Sequence, residues 1–103
     1  MTGFRLGGLQ FEWDDAKAFS NAVKHGVSFE EASTAFIDQN GERIRDAKHS
    51  EKEERFLLLA ESVRHRILVV AHTVRGSSLR IISARPAKLS ERRRYDEARD
   101  ERR

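Results

Sequence analysis

The sequence predicts an α+β domain: two N-terminal helices packed on an antiparallel sheet of three to five strands, followed by a C-terminal helix. Three observations carry this. Two segments with helical spacing of apolar residues meet at Gly26. Three apolar runs of strand length, ERFLLLAES, RHRILVVAHTV and SSLRIISAR, fill the second half. Pro86 then opens a segment of good helix formers. At 103 residues the chain suits one domain with a small core.

The elements follow in order. Leu9 to Trp13 alternates Leu9, Phe11 and Trp13 against Gln10 and Glu12, the period of a strand. Asp14 or Asp15 offers an N-cap for a helix through DDAKAFSNAVKHG, whose Phe19, Ala22 and Val23 share a face, and Gly26 stops it. Ser28 and Glu31 stand in capping-box spacing before a second helix striped by Phe29, Ala32 and Phe36. QNGERIRD reads as a turn and an edge strand. Gly76 suits a tight hairpin between the last two apolar runs. Those runs are nearly continuous, which fits a sheet covered by helices on one face and partly covered, by a partner protein among the options, on the other. The last helix has a thin stripe of Leu89, Tyr95 and Ala98 and is marginal alone.

Composition narrows the chemistry. The chain has no cysteine, which excludes disulfides, thiolate catalysis and cysteine zinc sites. It has no signal-like or bilayer-length apolar run. Net charge is +3, and it is unevenly placed: residues 1–74 hold 10 Lys+Arg against 12 Asp+Glu, residues 75–103 hold 10 against 5. Fifteen of the twenty basic residues are arginine, whose planar guanidinium binds phosphate bidentately. The basic C-terminal part fits contact with a polyanion and, on composition alone, equally a plain soluble surface.

The arginines of RIISARPAKLSERRRY are the leading candidates. In an ideal strand Arg80 and Arg85 lie on opposite faces. A bulge, or an early strand end, brings them to one rim, with Arg92, Arg93 and Tyr95 following in the helix. The competing account pairs Arg80 and Arg85 with glutamates and leaves residues 92–94 in water. His25, His49, His65 and His72 match no metal pattern, so no metal or other cofactor is expected. His25 beside Lys24 lies in the last turn of the first helix, where the helix dipole alone accounts for a cation. The run SEKEER offers Glu53 or Glu54 as a base, and equally a solvated turn.

Three stretches, FEWDDAKAFSNAVKHGVSFEEASTAFID, HSEKEERFLLLAES and LVVAHTVRGSSLRIISARPAKLSERRRY, resemble the BrnT toxins of bacterial type II toxin-antitoxin systems, from Phe11 to about Tyr95. The resemblance implies a RelE-like fold and a cytoplasmic, metal-independent ribonuclease that cuts RNA through its 2′-hydroxyl and halts translation. It also implies a BrnA-like ribbon-helix-helix antitoxin, through which alone operator DNA is reached. Arg80 and Arg85 are then the phosphate and transition-state clamps, and Tyr95 stacks a base or relays a proton. Lys24 and His25 serve in acid–base or phosphate roles, with helix capping as the alternative. Arg92, Arg93, Arg75 and Lys88 contact RNA. Residues 1–10 have no counterpart in the pattern and are expected as a flexible extension or an overcalled start, residues 11–95 as the core and 96–103 as a charged tail. A noncatalytic nucleic-acid-binding module and a degenerate toxin that only binds its antitoxin are the rival functions.

Overall fold

The computed structural model describes residues 1–102. Strands β1 (Thr2–Leu6) and β2 (Leu9–Trp13) come first, then helices α1 (Asp15–His25) and α2 (Phe29–Thr34). Strands β3 (Glu42–Arg45), β4 (Arg55–Glu61), β5 (Ile67–Arg75) and β6 (Ser78–Pro86) follow, and α3 (Leu89–Glu101) ends the described chain. Short 3-10 turns lie at Ala35–Ile37 and Ala47–His49. The six strands form one sheet in the order β1-β2-β6-β5-β4-β3.

The sheet differs from the expected antiparallel one of three to five strands. It is mixed, because β2 pairs with β6 in parallel through Gln10–Ser78, Phe11–Leu79 and Glu12–Arg80. It is also wider, and strands precede the helices. Residues 2–6 form a hairpin with β2 that sets Phe4 opposite Phe11 and Leu6 opposite Leu9. Only Phe4 and Leu6 carry the apolar alternation there, too short a pattern to read as a strand, and the Gly7-Gly8 turn supplies the reversal.

One sheet face packs on α1 and α2. Its core joins Phe11 and Trp13 of β2, Leu58 and Ala60 of β4, Leu68 and Val70 of β5, and Ile81 and Ala84 of β6 to Val27, Phe29, Ala32 and Ala35. Trp13 meets Phe29 edge-on at 5.8 Å, and Phe11 meets Phe36 at 5.1 Å. Such contacts add about 0.5–1.5 kcal/mol each beyond burial. Asp14 caps α1 by accepting from the Ala16 and Lys17 amides, and Gly26 ends it at φ 68°. Only glycine adopts that conformation without strain.

The expected apolar face of α1 points outward: Phe19 is 74% and Val23 72% exposed. The buried residue is Asn21. Past Trp13 the chain leaves the sheet, so β6 beyond Arg80 has no strand neighbour on that side. Asn21 takes the missing strand's place. Its Oδ1 accepts from the Ala84 amide at 3.0 Å, and its Nδ2 donates to the carbonyls of Ala84 and Val27 at 2.8 and 2.9 Å. Satisfying buried backbone groups outweighs burying a phenylalanine here, since an orphaned buried group costs about 1–3 kcal/mol. Asn21→Ala is expected to lower unfolding free energy by about 3 kcal/mol in urea titrations.

A second polar latch ties α2 to the β4–β5 turn. Glu31 is buried and accepts from Arg66 through both carboxylate oxygens and from Ser62 Oγ at 2.8 Å. Arg66, ahead of Ser62, holds its carboxyl below the usual range. The capping box is thus half built: Ser28 Oγ accepts from the Glu31 amide, while the Glu31 side chain turns to the strands.

Candidate nucleic-acid interface

The opposite sheet face is defined by register. Across β3, β4, β5 and β6 one row runs Glu42, Leu59, Val69, Arg85, and the next runs Ile44, Leu57, Ala71, Ser83. A bulge between Ala71 and His72 then shifts the pairing so that His72 faces Ile81 and Thr73 faces Arg80, which leaves Ile82 as the extra residue of β6. Arg80, Ser83 and Arg85 consequently share this face. The third row runs Arg55, Thr73, Arg80, Glu12.

Helix α3 covers the Arg85 end of this face. Pro86 ends β6, and the helix opens three residues later at Leu89, with the Lys88 amide donating to Glu91 at 2.7 Å. Glu91 also takes both terminal nitrogens of Arg85, at 2.8 and 3.0 Å. Arg85, then the Lys88 amide, pull the Glu91 carboxyl down to about 2. Arg94 pairs with Glu42. A small apolar cavity of about 80 Å³ between Leu57, Leu59, Val69 and the helix remains under these pairs.

Arg80 donates to Glu12 at 2.9 Å, with its side chain 16% exposed. Both principal arginines therefore hold glutamates in the free chain, as the competing account anticipated. Arg85 holds its glutamate through two bonds, the fork geometry in which guanidinium binds carboxylate or phosphate alike, and Arg80 through one. Arg92, Arg93 and Lys88 are exposed along α3 and the turn before it.

Lys24 and His25 lie at the flank of this surface, beside β6. They line an open groove of about 320 Å³ with Lys17 and Ser20 of α1 and with Ile82 and Ser83 of the bulge. Ser83 belongs to the same strand face as the two arginines, so α1 delivers Lys24 and His25 to its flank. Arg75 stands elsewhere, at the end of β5, where it pairs with Glu53 at 3.3 Å.

Tyr95 does not reach the exposed surface. It is 2% exposed, and its hydroxyl donates to Asp38 Oδ2 at 2.6 Å. Burial, then the Asp38 carboxylate, push its pKa well above the ordinary value. Asp38 also accepts from the Glu61 and Asn40 amides, so Tyr95 pins α3 to the turn before β3. Base stacking or proton relay by Tyr95 does not fit this placement. Tyr95→Phe is expected to cost about 1–2 kcal/mol of stability, read as a lower Tm.

Sequence reasoning missed Glu12, Asn21, Asp38 and Glu91. Glu91 carried a readable signal, the capping spacing from Lys88, whereas Glu12 and Asp38 meet their arginine and tyrosine only through the fold. Among the described residues no three His, Asp or Glu side chains converge to hold a metal ion. Among them too, no helix is long and apolar enough to cross a membrane.

A family model described as ribonuclease toxin, BrnT, of type II toxin-antitoxin system matches residues 13–91. The chain belongs to the BrnT family. Among solved structures, the Brucella abortus ribonuclease toxin BrnT superposes with a TM-score of 0.59 at 25% identity, covering 76% of this chain and 95% of that one. No curated protein matches. As a BrnT member the chain is a ribonuclease toxin of a type II toxin-antitoxin system, with RNA as target and an antitoxin as partner. The BrnT match begins at Trp13, so it takes in Lys24, His25, Arg75, Arg80, Arg85 and Glu91 and leaves out β1, Glu12 and most of α3.

Proposed function

We propose that this BrnT chain is a RelE-like, metal-independent endoribonuclease that acts in the cytoplasm by 2′-hydroxyl attack and so halts translation. One observation supports it above the others: the bulge at Ile82 places Arg80, Ser83 and Arg85 together on the sheet face that α1 and α2 leave uncovered. RNA carries its own nucleophile. The protein's task is to hold the phosphodiester in line and to stabilise the extra negative charge of the transition state.

Four residues of strand, Ile82 among them as the bulge, separate the two arginines by on the order of 15 Å, so they hold different phosphates. Arg80, backed by Glu12 and set rigidly in the sheet centre, clamps the reacting phosphate. Arg85, Lys88, Arg92 and Arg93 carry the strand toward α3, and Lys24 and His25 line its flank at Ser83. RNA binding exchanges carboxylate for phosphate on each guanidinium, which keeps both arginines oriented while free. The antitoxin is a BrnA-like ribbon-helix-helix protein, and operator DNA is met only through it.

The test is incubation of purified protein with defined RNA in EDTA, beside RNA carrying a 2′-deoxy substitution at each cut site. Cleavage that survives the chelator and vanishes without the 2′-hydroxyl supports the proposal. Folded protein that binds RNA with strong salt dependence and leaves it uncut, ribosomes included, returns the chain to a binding role.

A further inference from the structure

The segment HSEKEER is unused by the site above, yet it builds a second concave surface beside it. The 3-10 turn Ala47–His49 and the chain to Arg55 bound a cavity of about 480 Å³. The turn is fixed at both ends. The Asp46 amide donates to the Arg55 carbonyl at 2.8 Å, Ser50 Oγ donates to the Asp46 carbonyl at 2.6 Å, and the Arg55 amide donates to Ser50 Oγ at 3.0 Å.

Within this frame Asp46 Oδ2 lies 2.8 Å from His49 Nδ1. The carboxylate is largely enclosed, its side chain 15% exposed, while the imidazole is 55% exposed. A carboxylate accepts only, so it takes Nδ1–H and leaves Nε2 as the basic nitrogen. An oriented imidazole with its second nitrogen unengaged is the arrangement of a general base. The surroundings fit a phosphodiester. Lys48, Lys52, Arg55 and Arg75 line the cavity against two carboxylates, Glu51 and Glu53. Glu53 bridges Arg55 and Arg75 at 3.6 and 3.3 Å. Arg55 Nε is buried without an acceptor.

The cavity adjoins the proposed RNA track. Arg55 pairs with Thr73 and Thr73 with Arg80, so Arg55 and Arg80 lie two strand spacings apart on one face, about 10 Å.

We propose that His49, oriented by Asp46, is the catalytic base that takes the proton of the attacking 2′-hydroxyl, with Arg55 and Arg75 holding the phosphodiester beside Arg80. This rests on the ribonuclease function proposed above. The 2′ oxygen forms a bond to phosphorus as its proton passes to Nε2, and the bond from phosphorus to the 5′ oxygen breaks. The leaving oxygen takes a proton from water, and imidazolium returns its proton to the hydroxide so formed. The products are a 2′,3′-cyclic phosphate and a 5′-hydroxyl. Arg75 thereby keeps the RNA-contact role its sequence suggested, at this cavity and not along α3.

The experiment measures kcat, KM and their pH dependence for the full chain on defined RNA, with binding read separately on 2′-deoxy RNA that cannot react. His49→Ala and His49→Gln are expected to lower kcat about 10²–10⁴-fold with KM and 2′-deoxy RNA binding retained. The rising limb of the kcat/KM profile should vanish, and added imidazole should restore part of the rate to His49→Ala. Asp46→Asn should lower kcat with 2′-deoxy RNA binding retained, because the imidazole loses the carboxylate that holds Nδ1–H. His49 is exposed, so both variants should melt as wild type does. A His49→Ala protein with wild-type kcat and an intact limb overturns the assignment while wild-type cleavage keeps the ribonuclease function standing. Wild-type protein that leaves RNA uncut, ribosomes supplied, overturns both.

Discussion

Arg80→Ala is expected to lower cleavage of a defined RNA by about 10²–10³-fold, the loss that follows removal of one fixed donor from a transition-state site. The side chain has two roles that must be separated. It pairs with Glu12 across the parallel β2–β6 contact, and it is proposed to hold the reacting phosphate. Removing it leaves Glu12, itself 21% exposed, without its partner. That cost is structural and would lower activity at any temperature near unfolding. Glu12→Gln with Arg80→Ala removes the stranded charge. The double variant should regain stability and remain inactive. Arg80→Lys keeps the charge, loses the fork, and should recover only part of the rate. Glu12→Gln alone frees Arg80 for phosphate and should leave cleavage present. A double variant that regains both stability and cleavage would assign Arg80 to the sheet and not to RNA.

The parts of this fold that were legible in the sequence are those set by local pattern. The three long strands follow from continuous β-branched and aliphatic runs, and the ends of α1 follow from Asp14 and Gly26. What stayed hidden depends on residues far apart in the chain. Helix α1 presents Phe19 and Val23 to solvent because Asn21 is needed inward by Ala84, 63 residues away. Strand β1 shows too few alternating residues to announce itself. The shared face of Arg80 and Arg85 depends on one bulged residue, which spacing admits as a condition and only strand pairing can decide. Tyr95 stood by sequence both in the thin apolar stripe of the last helix and among the RNA-contacting residues, and its bond to Asp38 decides for the interior. The Asp46–His49 pair is a local spacing of three and was open to view, but histidines compared with metal-binding patterns and weighed one by one as acids or bases do not disclose a carboxylate dyad.

His72 should make the chain lose stability between pH 6.5 and 4, before most carboxylates titrate. Its ring is fully buried between Phe36, edge-on at 4.8 Å, and Phe56, stacked at 5.9 Å. Nδ1 donates to the Val70 carbonyl at 3.0 Å, and Nε2 is buried with no partner. Burial lowers the imidazole to about 4, helped by the charge of Arg43 and opposed by the Val70 carbonyl. The unfolded chain, near 6.5, therefore binds a proton first as pH falls. Stability is full above 6.5, declines through the interval and levels off below about 4, where the folded state is protonated too. At about 1.4 kcal/mol per pH unit the whole loss is about 3 kcal/mol. Glu31 and Glu91 act in the same direction but lower, since carboxyls held down by arginine lose their contribution only as pH falls below the ordinary carboxylate range. The window from 6.5 to 4.5 thus isolates the histidine. Urea unfolding across it should show a steep decline in wild type and a nearly level line in His72→Leu or His72→Phe, both apolar and close in size. Parallel slopes in wild type and both variants would place the acid-sensitive group elsewhere, because nothing else about the ring changes with pH.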